Sequence, residues 1–228
     1  MKEFLWGGAT ASYQCEGGWN EGGRAESMWD KYLHEENLEN GDVASDHYHR
    51  FKEDIKMMKE GGHTSYRFSL AWPRIIKNLE GEINQEGIDF YNEMIDTCLE
   101  NGITPFVTIY HWDLPQYLEE LGGWLNRKTC EAYMHYAKVC FDAFGDRVVH
   151  WSTFNEPRYC IFSGYLIGNY PPGHRDLQET LTGSYYLMLA SAMAVSLLAG
   201  CGKTETPAPA EEAPAAEAPA EEVPAEEE

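Results

Sequence analysis

Thr153-Phe154-Asn155-Glu156-Pro157 closes an apolar run, Val148-Val149-His150-Trp151-Ser152. The run reads as a β-strand, and the pentapeptide sets a carboxamide beside a carboxylate at its end. Both groups need hydrogen-bond partners if they are buried. Such a pair suits a scaffold that aims polar chemistry at a ligand from its strand ends. The plainer reading is a strand end with a helix-capping Asn and a proline stop. Strand runs followed by polar turns recur upstream, and that recurrence decides the fold class.

Working outward, Phe4-Leu5-Trp6-Gly7 reads as a first strand, followed by a Gly- and Trp-rich loop to about residue 43. Asp46 to Lys59 is predicted helical, with Tyr48, Phe51, Ile55 and Met58 at helical spacing, Asp46 as its cap and Gly61-Gly62 as its stop. Thr64 to Leu70 alternates as a second strand. Asn84 to Asn101 is a helix with Ile88, Tyr91, Ile95 and either Cys98 or Leu99 inward, stopped by Gly102. Thr104 to Tyr110 is a third strand, Asn126 to Phe144 a helix, and Val148 to Phe154 the fourth strand. Another helix begins at Leu177. Four β/α repeats in a row predict an α/β fold with a parallel sheet and right-handed crossovers.

The pattern changes near Ala190. No charge appears from Leu187 to Gly202, although a helix covering a sheet should keep a charged outer face. The expected organisation is residues 1–190 as the folded body, 191–202 as an uncharged apolar helix end, and 203–228 as a disordered Pro/Ala/Glu-rich tail. The tail holds nine Glu and one Lys of a chain whose net charge is −21. That charge argues against nucleic acid and anionic membranes as partners. Leu198-Ala199-Gly200-Cys201 resembles the end of a lipoprotein signal, but it has no basic lead and the run is marginal for a membrane span. Lipidation of Cys201 is not expected. The six cysteines show no C-x-x-C spacing and read as reduced thiols, hence a cytoplasmic protein. The first eight residues are too polar for a signal peptide.

In a β/α barrel the C-terminal strand ends converge on one face. Gln14, His111, Asn155 and Glu156 then surround one cavity, with Arg67 on the second strand beneath them. Gln, His and Asn supply the donors and acceptors that sugar hydroxyls need, and Trp112 supplies a stacking face. A protonated Glu can donate to a glycosidic oxygen, and Arg67 can hold a neighbouring carboxylate ionised. His47 and His49 lie two apart on a helix and point to different sides, so no metal is expected there. Gly7-Gly8, Gly17-Gly18 and Gly22-Gly23 form no phosphate loop and read as turns that let backbone pass a ligand. Glu16 reads as a solvated loop carboxylate. Trp19, Trp29, Trp72, Trp124 and Trp151 read as core or loop staples.

Several stretches resemble the first half of a glycoside hydrolase family 1 β-glycosidase. They are F-L-W-G-G-A-T-A-S-Y-Q at 4–14, W-N-E-G-G-R-A-E-S-M-W-D at 19–30, Y-R-F-S-L-A-W-P-R-I at 66–75, Y-H-W-D-L-P at 110–115 and T-F-N-E-P at 153–157. The resemblance implies a partial TIM (β/α)8 barrel of about four β/α units. It implies that Glu156 is the acid/base, that Gln14, His111 and Asn155 bind sugar in the −1 subsite, and that Arg67 lies near the nucleophile. It implies a retaining hydrolase of β-glucosides or 6-phospho-β-glucosides that needs no metal or cofactor. The stretch Gly164 to Gly173 looks more like the phospho-specific branch. Gly18 stands where the family usually has Ala, which is expected to matter little. The family's nucleophile, in an I-T-E-N-G motif, is not found in these residues, so the chain alone is expected to be inactive and to self-associate through open barrel edges. The rival expectations are a weak sugar-binding half-site and a non-functional fragment or artificial fusion.

Overall fold

The computed structural model describes residues 4–201, with the side chains of 199–201 excepted. The expected acidic tail and the Cys201 thiol lie outside the described side chains.

Four strands form one parallel sheet in the order β1 (Gly7–Ala9), β2 (Ser65–Ser69), β3 (Thr104–Tyr110) and β4 (His150–Phe154). Register runs Gly7 to Ser65 to Thr104, and Phe106 to His150. Nine α-helices are described: α1 (Ser12–Cys15), α2 (Met28–Glu35), α3 (His47–Glu60), α4 (Trp72–Ile75), α5 (Gln85–Glu100), α6 (Gln116–Glu119), α7 (Arg127–Phe144), α8 (Pro157–Ile161) and α9 (Leu177–Cys201). Each strand feeds a crossover helix, so the chain winds as a partial (β/α)8 barrel.

One sheet face packs under the helices. Tyr66, Phe68, Val107 and Ile109 are buried there. The core beneath is aromatic: Trp72 stacks on Tyr136 at 4.9 Å, and Tyr133 stacks on Phe154 at 4.7 Å. Such offset pairs contribute about 0.5–1.5 kcal/mol each beyond their buried area. The buried hydroxyls are partnered, since Tyr136 donates to the Ile109 carbonyl and Tyr133 to that of Thr153. These bonds tie α7 to β3 and β4.

Several expectations need correction. The first strand lies at Gly7–Ala9, because Trp6 turns its carbonyl to the Thr64 and Ser65 amides before strand pairing begins. The long loop contains α1 and α2. Asp46 does not cap α3; its backbone is left-handed (φ 54°) and its carboxylate binds His49 Nδ1 instead. Of the two candidates on α5, Cys98 is buried and Leu99 is exposed. The helix expected from Leu177 is α9, which continues into the uncharged stretch after residue 190, with Leu187, Ala190 and Ala194 along it buried.

Glu16 is not solvated. It is buried, takes a hydrogen bond from Tyr91 Oη at 2.6 Å, and pairs with Arg74 Nε at 3.2 Å. The glycine turns wrap this arginine rather than a ligand. Arg74 Nη2 donates to the carbonyls of Gly17 and Gly18, Nη1 donates to that of Glu21, and the guanidinium lies 4.2 Å from the Tyr48 ring centroid. Gly18 sits at φ +55°, and a Cβ there would meet Tyr48 Cδ1 at 2.8 Å. The position therefore excludes Ala unless the ring moves, which the sequence did not reveal.

Candidate active site

The strand ends build the site. β3 ends at Tyr110, whose carbonyl accepts the Asn155 amide at 2.9 Å and draws the residue after β4 alongside it. Arg67, in the middle of β2, reaches across the sheet. Its Nε donates to Thr108 Oγ1 at 3.0 Å and its Nη2 to Asn155 Oδ1 at 2.8 Å. Asn155 is thereby fixed in orientation by the bond to its Oδ1. Trp112 Nε1 donates to the Asn155 carbonyl at 2.9 Å. One asparagine thus joins β2, β3 and β4.

Trp112 and Glu156 both take left-handed backbone, at φ 76° and φ 42°. Neither residue type favours that region, and each such position costs on the order of 1–3 kcal/mol. The Asn155 bonds lie between the two strained positions and hold both turns. Strain of this kind concentrates where a fold aims side chains at a ligand.

A cavity of about 310 Å³ opens beside these turns. Gln14, His111 and Trp112 line it, whereas Asn155 and Glu156, expected to surround one cavity with Gln14 and His111, are not among its lining residues. Tyr13, Trp29, Leu33, Glu39 and Tyr170 complete the wall. The Trp112 ring lies 5.6 Å from Tyr159 and 5.9 Å from Tyr170, and Trp29 lies 5.2 Å from Tyr170. Trp29 therefore lines the cavity as well as packing against the core. Arg67 and Asn155 stand behind the cavity through the Trp112 bond. Glu156 is exposed and does not line this cavity; its carbonyl accepts the Cys160 amide at 3.0 Å, while its carboxylate makes no hydrogen bond or ion pair among the described residues.

His111 is tuned for neutral hydrogen bonding. Burial, then the positive charge of Arg67, pulls its imidazole down to about 4. Its Nδ1 is buried and lacks a partner among the described residues. A neutral ring with one open nitrogen can donate to or accept from a hydroxyl. Behind it, Ser12 Oγ donates to Asp113 Oδ2 at 2.7 Å and the Ser12 amide donates to Ser69 Oγ at 2.8 Å. Those bonds lock α1, which carries Gln14, to the turn that carries His111 and to the end of β2. Burial pushes the Asp113 carboxyl up to about 6.

Among the described residues no group of three His, Cys, Asp or Glu is placed to hold a metal ion. His47 pairs with Asp54 at 2.6 Å, and His49 with Asp46 and Glu21. The sequence reading did not assign Tyr13 and Tyr170 to the wall, and it took Trp29 as a staple. Their sole advance signal was aromatic enrichment in loops.

Beta-glucosidase A of Acetivibrio thermocellus is 49% identical to this chain over 200 residues, covering 86% of the chain and 45% of that protein. Beta-glucosidase 42 of Arabidopsis thaliana is 50% identical over 202 residues, covering 85% and 41%. A beta-glucosidase from Thermotoga maritima, solved in complex with glucoimidazole, superposes with a TM-score of 0.85 at 47% identity, covering 88% of this chain and 46% of that one. The chain spans a little under half the length of these relatives. The model of the family described as Glycosyl hydrolase family 1 matches residues 1–227, so the match continues past the compositional change near residue 190. With that match laid over a parallel sheet whose strand ends carry Gln14, His111, Asn155 and Glu156, the chain belongs to glycosyl hydrolase family 1.

Proposed function

We propose that this chain carries the proton-donor half of a β-glucoside hydrolase site. The observation that carries the reading is the Arg67–Asn155 bond, which fixes the residue before Glu156 beside the cavity of Gln14, His111 and Trp112. Gln14, His111 and Asn155 hold sugar hydroxyls, and Trp112 offers its face to the ring. Glu156 gives its proton to the glycosidic oxygen as the bond to the leaving group breaks.

Retention also needs a second carboxyl about 5–5.5 Å from the first, to take the sugar carbon as a covalent ester. The cavity's one acidic wall residue is Glu39, which is exposed and has no hydrogen-bond partner among the described residues. A carboxylate so loosely held is no nucleophile. The isolated chain therefore binds a β-glucoside without cleaving it.

The 6-phospho alternative is weaker. Among the described residues no Lys or Arg lines the cavity, and Glu39 repels a phosphate. A cytoplasmic setting is part of the same reading, since the five cysteines described are all unpaired.

Calorimetric titration with cellobiose tests the reading. Saturable binding is expected, weakened about tenfold or more by His111→Ala, because a lost hydrogen bond to a buried neutral group is worth roughly 1.4 kcal/mol. No release of nitrophenol from the aryl β-glucoside is expected. Absence of binding refutes the half-site. Turnover that Glu156→Gln abolishes refutes the missing nucleophile. Tighter binding of glucose 6-phosphate than of glucose reverses the choice of substrate.

A further inference from the structure

The cavity of Gln14 and His111 has an aromatic and acidic wall, which neutral sugar hydroxyls do not need. Its rings are contiguous. Centroid to centroid, His111 lies 5.6 Å from Trp112, Trp112 5.9 Å from Tyr170, Tyr170 5.2 Å from Trp29, and Trp29 6.1 Å from Tyr13. The Tyr13 hydroxyl oxygen accepts the Gly41 amide at 3.3 Å. That bond seats the loop after α2 on the last ring, and Glu39 of the same loop lines the cavity. The seat is close: a Cβ at Gly41 would meet the Tyr13 carbonyl oxygen at 2.7 Å and its ring at 3.0 Å.

Charge is unevenly spread around this wall. Behind His111 stands the Arg67 guanidinium, whose bonded partners Thr108 and Asn155 are neutral. Beyond Tyr13 stands the Glu39 carboxylate, exposed and without a hydrogen bond or ion pair among the described residues. Residues 35–42 hold four acidic side chains and no Lys or Arg, so the potential over that end is negative. The basic groups nearby are engaged elsewhere: Lys31 with Glu35 and Glu120, Arg24 with Asp30, and His34 with Asp42. A cation reaching Glu39 therefore meets no competitor from the cavity wall. Aromatic faces attract cations through the ring quadrupole, and several rings about one charge is the arrangement that recognises alkylated ammonium groups.

We propose that this wall selects β-glucosides whose aglycone carries an alkylated ammonium group, with Glu39 and the rings of Trp29 and Tyr170 holding the cation. The neutral sugar lies against Gln14 and His111, and the positive aglycone points away from Arg67 toward Glu39. The cavity, at about 310 Å³, falls in the range of about 300–1,000 Å³ of small-ligand sites. Glu39 thus determines specificity without touching the bond that breaks. The sugar half of this proposal rests on the roles given above to Gln14 and His111, whereas the cation half rests on the wall alone.

Calorimetric titration of the full chain tests the proposal with choline β-glucoside and the β-glucoside of dimethylbutanol, in which carbon replaces the ammonium nitrogen. The two have one shape and differ in charge. The cationic glucoside is expected to bind about tenfold more tightly at low salt. Glu39→Gln is expected to cut that ratio to about threefold or less, because the carboxylate is lost and the rings remain. Trp29→Leu is expected to lower the ratio as well. Glu36→Gln removes the same charge from an exposed residue outside the cavity, and the ratio is expected to stay within about twofold of wild type. Choline and dimethylbutanol, the same pair without the sugar, separate the two halves. Preference for choline that Glu39→Gln removes upholds the cation site even where neither glucoside binds, and the sugar half alone then fails. Four results overturn the proposal: equal binding of the two glucosides, a preference that survives both cavity variants, a preference that Glu36→Gln removes as fully as Glu39→Gln, or no preference for choline where neither glucoside binds.

Discussion

His111 and Asp113 stand two residues apart and respond to acid with opposite signs. The folded chain keeps His111 neutral from about 4 up to its ordinary value of 6.5, a window in which the unfolded chain binds a proton. Its contribution therefore lowers stability as pH falls through that window. Asp113 stays protonated in the fold up to about 6, whereas the unfolded carboxyl ionises near 3.8. Its contribution lowers stability as pH rises through that window. Relative to wild type, His111→Gln is expected to gain stability between pH 6 and 4, and Asp113→Asn to lose it. Urea unfolding at three pH values measures both, and a parallel response of the two variants would contradict these assignments. The residues named from the strand ends were legible because each follows an apolar run that sets its height on the sheet. The Glu16–Arg74 pair was not, since 58 residues separate the partners and neither has a local signal. Tyr170 escaped for the same reason, as its place in the wall depends on the path of a loop.

At the scale of elements, helix ends were read within about one residue where Asn or Gly marks them. Helix α7 shows why: Asn126 accepts the Lys128 amide at its start, and Gly145 follows its last turn. Helix α2 was missed although its cap was written in the chain, with Ser27 and Asp30 forming a reciprocal capping box. The Gly-rich loop around it depends on an interaction that no propensity encodes. Replacing Arg74 by Met strands the buried Glu16 carboxylate and frees three loop carbonyls. The expected loss is about 3–5 kcal/mol, typical of breaking a buried ion pair from one side. Denaturant titration measures it. A loss below about 1 kcal/mol, the range of an exposed pair, would show that water reaches the site.

At the scale of the whole molecule, charge acts against compactness. A net charge of −21 sets the acidic side chains repelling one another across the fold. Screening weakens that repulsion, since the Debye length falls from about 10 Å at 0.1 M salt to about 3 Å at 1 M. The melting temperature is therefore expected to rise with salt, and a fall would mean that the surface ion pairs outweigh the repulsion. The α/β class was legible from four repeated runs, but no repeat in a sequence shows how an open sheet is finished.

Arg74 has a consequence for the order in which the chain acquires structure. The guanidinium belongs to α4, yet it occupies the centre of a loop that precedes α4 by some fifty residues, and the Ala25 amide bonds to the Pro73 carbonyl at 2.9 Å. The loop thus has nothing to wind around until the second crossover has docked. In hydrogen exchange, the Glu21 and Ala25 amides are expected to open together with α4 and α5, not with the adjoining β1, so neighbours along the backbone belong to different cooperative units.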